Sequence, residues 1–215
     1  MTKRIKEPGS AITHFIGMLM AICAAIPLLH RAVDAEGRIY VVALAVFAIS
    51  AVMLYAASST YHTVISTERI NTALKKLDHM MIYVLIAGTY TPVCLLVLGG
   101  NVGYVLLAVI WGIAALGILF KAFWVYCPKW ISSVFYIGMG WACIMTMPQL
   151  LVSMTSAQFA WLLAGGIFYT VGGVIYALKL KSFNERHKNF GSHEIFHLFV
   201  MGGSACHFVL MYLLV

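Results

Sequence analysis

Charge is what this sequence has least of. Only 10% of its 215 residues are Asp, Glu, Lys or Arg, and acidic side chains number seven. Ordinary soluble domains carry about 25% charged residues, so a water-soluble globular fold is excluded. Proline is sparse, at five residues, and no low-complexity linker divides the chain, so residues 1–215 read as a single domain. The five cysteines (Cys23, Cys94, Cys127, Cys143 and Cys206) are scattered through apolar sequence without CxxC spacing. That pattern argues against a disulfide framework or a thiolate zinc site, and these residues read as small apolar fillers. What the chain has in excess is apolar sequence, at 62% with mean hydropathy +0.94. Apolar residues in long blocks mark an all-α, polytopic membrane protein.

Seven apolar segments can be drawn, approximately 14–33, 39–62, 79–99, 102–120, 131–151, 158–179 and 193–215. Most approach the ~20 residues that a helix needs to cross a bilayer, which predicts a seven-transmembrane helix bundle. The first is the shortest. Its basic leader also fits a cleavable signal peptide, but His30, Arg31 and Asp34 crowd the cleavage region and favour a retained span. Connections are short except at 63–78 and 180–192, and Gly99-Gly100-Asn101 forms a tight turn. Pro92 and Pro148 fall within spans as tolerated kinks.

The basic residues are one-sided. Lys3, Arg4, Lys6, Arg69, Lys75, Lys76, Lys121, Lys129, Lys179, Lys181, Arg186 and Lys188 all lie on one face, while Arg31 and Arg38 alone lie on the other. The positive-inside rule then sets the N-terminus in the cytoplasm and the C-terminus outside. The net charge of +7 therefore expresses topology, and no nucleic-acid partner is expected.

Within that topology four histidines gather near the cytoplasmic boundary. His62 ends the second span, His79 follows Asp78 at the start of the third, and His193 and His197 open the seventh. Four residues on a helix advance roughly 400°, which stacks His193 and His197 one turn (~6 Å) apart on one face. Ser58 shares a face with His62 for the same reason. Two readings stand. In one, His62, His193 and His197 hold a zinc ion and leave a fourth position for water. Asp78 then orients or deprotonates that water, and Ser58 bonds the water or a substrate oxygen. His79, about 100° from Asp78 round the helix, would point elsewhere. In the other reading, these are helix-end polar groups facing headgroups.

His193-Glu-Ile-Phe-His197 also matches H-E-x-x-H of zinc peptidases, with Glu194 as general base. The extended form wants a histidine where Gly203 stands. His14 reads as a helix-end group or a partner of the site, and His207 as a core histidine packed near Ser204. The pairs Gly165-Gly166, Gly172-Gly173 and Gly202-Gly203 suggest closely approaching helices.

Ser58-Ser-Thr-Tyr-His62, Leu77-Asp-His-Met-Met-Ile-Tyr-Val-Leu-Ile-Ala-Gly-Thr-Tyr-Thr-Pro92 and the His193-x3-His197 stretch resemble the bacterial hemolysin III proteins. These belong to the progestin and adipoQ receptor (PAQR) family. The likeness runs from Thr13-His14 through Gly-Gly-Ser-x-Cys-His207. It implies His62, His193 and His197 as zinc ligands, with Asp78 and Ser58 beside the bound water. It also implies kinship with alkaline ceramidases, and so a hydrolase of a lipid amide or ester bond in the bacterial plasma membrane, with membrane lipids as partners. A membrane-state sensor with structural zinc and a cytolytic hemolysin are the other functions that the resemblance raises. The long cytoplasmic domain of the adiponectin receptors has no counterpart here, so hormone-type signalling does not carry over. In this frame the Glu194 match is incidental.

Overall fold

A computed structural model describes residues 5–35, 37–187 and 190–215. Lys3, Arg4 and Lys188, three of the basic residues counted above, lie outside the described residues. The helices are α1 (Pro8–Asp34), α2 (Arg38–Thr63), α3 (Glu68–Pro92), α4 (Gly100–Phe123), α5 (Lys129–Gly140), α6 (Met147–Ser153), α7 (Ser156–Leu178), α8 (Lys181–Arg186) and α9 (Ser192–Tyr212). Two of the spans are composite. A π-helical turn, Val93–Leu98, prolongs α3, and a 3-10 turn, Trp141–Thr146, joins α5 to α6. Counted that way, seven helices among the described residues are long and apolar enough to cross a bilayer. The molecule is a seven-span membrane bundle.

Helix boundaries differ from the sequence expectation in one place that matters. The long connection expected at 63–78 is mostly helix, because Thr67 caps α3 by accepting from the Ile70 amide and Glu68 follows in the first turn. Asp78 therefore stands ten residues into α3, about 15 Å along its axis. The charged and polar residues Glu68, Arg69, Asn71, Thr72, Lys75 and Lys76 hid this helical extension from a reading based on hydropathy. The prolines act where expected: α3 gives way to the π-helical turn directly after Pro92, and Pro148 starts α6 after the 3-10 turn.

The helices close into a ring in the order α1, α2, α3, α5, α7, α9 and back to α1, and α4 packs outside this ring against α3. Several helices turn polar and small residues inward. On α1, His14 and Gly17 are buried while Ile12, Phe15, Ile16 and Leu19 are exposed on the lipid-facing side. Gly165 of α7 shows why the small residues are needed. A Cβ there would lie 2.3 Å from the His207 ring of α9, so glycine lets the imidazole rest on the α7 backbone. Gly203 answers from α9, where the Tyr169 ring occupies the space that a Cβ would fill.

Candidate metal centre

Two helices bring the three histidines together. His62 is the penultimate residue of α2, and His193 and His197 lie on the first turns of α9. One ligand atom from each lies within 4.8 Å of the others, slightly wider than the ~4 Å of a tightened metal site. The Nε2 atoms of His193 and His62 are 3.4 Å apart. Two corners of a tetrahedron centred on zinc, with ~2.0–2.1 Å bonds, are separated by about that distance. His62 and His197 are almost wholly buried, at 1% exposure each.

The remaining ring nitrogens bear on whether the set suits a metal. His62 Nδ1 donates to the Glu7 carboxylate over 2.5 Å, and this bond holds the Glu7 carboxyl below its ordinary value. Thr13 gives its hydroxyl hydrogen to the backbone of Gly9 or Ser10, so its oxygen accepts from His197 Nδ1 at 3.1 Å. With Nδ1 protonated in both rings, each Nε2 keeps a lone pair. That is the tautomer a metal requires, fixed from behind by a carboxylate and a hydroxyl. The donor set thus fits a divalent ion that takes imidazole ligands.

Asp78 and Ser58 stay outside this cluster, and both line a cavity of about 120 Å³ onto which His193 and His197 also open. Ser58 Oγ is buried without a hydrogen-bond partner among the described residues. Deeper in, the cavity wall is mostly apolar, with Ile82, Leu85, Ile86 and Val200. His79 does not turn away from the cavity as helical spacing suggested. It lines the wall beside Asp78, its ring held between the Lys75 carbonyl at 2.8 Å and the Tyr176 hydroxyl at 3.2 Å. Two neighbours on one helix share the wall because the cavity spans a wide arc of α3.

The family model described as "Haemolysin-III related" matches residues 2–208. The chain belongs to this family. Hemolysin III proteins are in turn PAQR family members. "Hemolysin-3" of Bacillus cereus is 42% identical over all of this chain and 95% of its own length. "Hemolysin-3 homolog" of Bacillus subtilis (strain 168) is 39% identical over 94% of this chain and 91% of its own. With seven apolar helices, this makes the chain a multi-pass bacterial membrane protein.

Sequence reasoning missed Glu7 and Thr13 as partners of the histidines, and read Lys121 as a loop charge. Lys121 is fully buried at the end of α4, donating to Ser132 Oγ at 2.6 Å and Cys127 Sγ at 3.2 Å. Glu194 is committed elsewhere. Its carboxylate accepts from the Gly191 amide at 2.8 Å, capping α9, and from Ser10 Oγ at 2.6 Å, which leaves the peptidase match without its base. His14 does join the site, stacked on His197 with centroids 3.6 Å apart and planes 7° from parallel. His207 gives Nε2–H to the Leu162 carbonyl at 3.2 Å, and Ser204 instead links the Tyr55 and Tyr169 hydroxyls.

Proposed function

We propose that this hemolysin III family member is a zinc-dependent hydrolase of a membrane lipid, cleaving an amide or ester bond as ceramidases do. The observation that carries the reading is the convergence of His62, His193 and His197, with Asp78 and Ser58 outside the ligand set on the wall of an apolar cavity. Neutral imidazoles favour zinc among the common divalent ions. Such an ion, when bound, supplies a Lewis acid that polarises a carbonyl and makes water more acidic.

The chain's own residues do the rest. The apolar wall takes the lipid's acyl portion and excludes water from it. The Asp78 carboxylate accepts the proton of the attacking water as its oxygen bonds to the carbonyl carbon. The same proton goes to the nitrogen or oxygen of the leaving group as the carbon–heteroatom bond breaks. Ser58 Oγ–H donates to the oxygen on which negative charge develops. The one-sided basic residues support a position for this chemistry at the cytoplasmic leaflet.

Purified protein supplied with lipid amides and esters tests the reading. Turnover is expected with metal, none after chelation, and none with Asp78→Ala. Normal turnover by Asp78→Ala would remove it from the role of base. A second reading, a membrane-state regulator in which the metal only ties helices together, draws support from Glu7, just before α1, and Thr13 in its first turns, which meet α2 and α9 at this cluster. That reading expects chelation to lower thermal stability with no lipid product under any condition. The cytolytic reading rests on the relatives' names alone.

A further inference from the structure

Three lysines near the metal centre are held in a way that membrane topology alone does not require. Lys6 Nζ lies 3.5 Å from the centroid of the Tyr61 ring, Lys75 Nζ 4.2 Å from that of Tyr126, and Lys129 Nζ 4.3 Å from that of Tyr176. All three lysines are half-buried, whereas Arg69, Lys179, Lys181 and Arg186 on the same side are exposed. An ammonium on a tyrosine face is attracted by the ring and loses its freedom to wander. A lysine that serves only the positive-inside rule needs neither.

Each pair is also joined to the candidate site. The Tyr61 ring packs on His62, centroids 4.8 Å apart. Lys75 accepts His79 through its carbonyl, one turn before Asp78. Tyr176 lines the cavity with Asp78, bonds His79, and lies 6.0 Å from the His193 ring. Among the described residues no carboxylate forms an ion pair with any of the three. The nearby acids are engaged: Glu7 with His62, Glu194 with Ser10 and the Gly191 amide, and Asp78 beside His79. Three oriented cations thus stand beside the candidate site, none of them ion-paired with a carboxylate among the described residues.

We propose that the Lys6–Tyr61, Lys75–Tyr126 and Lys129–Tyr176 pairs form a collar that binds the phosphate of a lipid with a net negative headgroup. Lysine reads phosphate as a point charge, and the cytoplasmic leaflet is where anionic lipids gather. The inference rests on the lipid-hydrolase reading and narrows its substrate to an anionic glycerophospholipid in place of a neutral or zwitterionic lipid.

Binding tests it independently of turnover. Metal-loaded full-length protein in phosphatidylcholine nanodiscs is titrated with phosphatidylglycerol at low and high salt. The expected preference over phosphatidylcholine is at least about tenfold at low salt and shrinks as salt rises. Lys6→Gln/Lys75→Gln/Lys129→Gln is expected to lose about tenfold in phosphatidylglycerol affinity while keeping its metal. Arg69→Gln/Lys181→Gln/Arg186→Gln, with the same change in charge, is expected to stay within about twofold. Equal losses in the two triple variants, or no loss in the first, would overturn the collar. Lys129→Arg, which keeps charge and ring contact, should retain the preference, and its failure to do so counts against the proposal. Displacement of the lipid by soluble glycerol phosphate at equal concentration would assign the collar to a free phosphate and reject the lipid. Preference without turnover leaves the collar standing and removes the hydrolase reading, whereas turnover without preference does the reverse.

Discussion

At the residue scale, the account turns on what stands behind the ligands. The buried hydrogen bond from His62 Nδ1 to Glu7 fixes the ring's tautomer and orientation. Loss of such a partner usually costs 10–100-fold in metal affinity. Glu7→Gln should therefore weaken zinc retention by about that factor in a competition with a chromophoric chelator, and Thr13→Val should do so by less. Asp78→Ala should behave differently, keeping its metal while lipid hydrolysis falls by at least about 100-fold. Equal metal loss in Asp78→Ala and His62→Ala would instead make Asp78 a ligand and close the site. The three histidines were legible in the sequence because helical spacing pairs His193 with His197 and topology places His62 at the same membrane depth. Glu7 and Thr13 were not, since no periodicity in α1 says that its leading residues will meet both α2 and α9. Lys121 was hidden for a related reason: its cage is made by Cys127 and Ser132, which the chain folds back onto it after α4.

At the scale of elements, the α7–α9 contact carries the last helix and so the position of two ligands. Its closeness depends on glycine, with the His207 ring against Gly165. Gly165→Val should overpack this contact and cost about 1–3 kcal/mol, read as a lower midpoint of thermal unfolding in detergent. Adding His207→Ala should recover part of that loss, and a strictly additive double variant would show that the two residues do not share the space. The glycine pairs pointed to close helices before any coordinates. Which ring each glycine admits depends on how α7 is rotated against α9, and composition does not record that. The start of α3 was missed because a helix that leaves the membrane loses its apolar signature while keeping its cap at Thr67.

At the scale of the whole molecule, six helices ring one cavity, and at the metal centre Glu7 and Thr13, at the start of α1, meet α2 and α9. Anything that binds the folded chain alone stabilises it in proportion to its logarithmic excess over Kd, by about 2.7 kcal/mol at a hundredfold excess. Chelation should therefore lower the unfolding midpoint, zinc should restore it in a concentration-dependent way, and His62→Ala should show neither shift. The seven spans were readable from hydropathy, since each apolar block has to bury its backbone in a helix. The ring order was not, because loops fix which helices are neighbours in sequence and leave open that α1 closes against α9.

The central claim is that three imidazoles hold a metal with one position left open to water or substrate. X-ray absorption at the zinc edge, on the purified full-length protein, measures that directly. The account predicts a four-coordinate ion with three imidazole nitrogens at about 2.0–2.1 Å and one light oxygen atom at a similar distance, unchanged in shell number by Asp78→Ala. Loss of that oxygen shell in Asp78→Ala, or a wild-type spectrum with no histidine scattering, would contradict it.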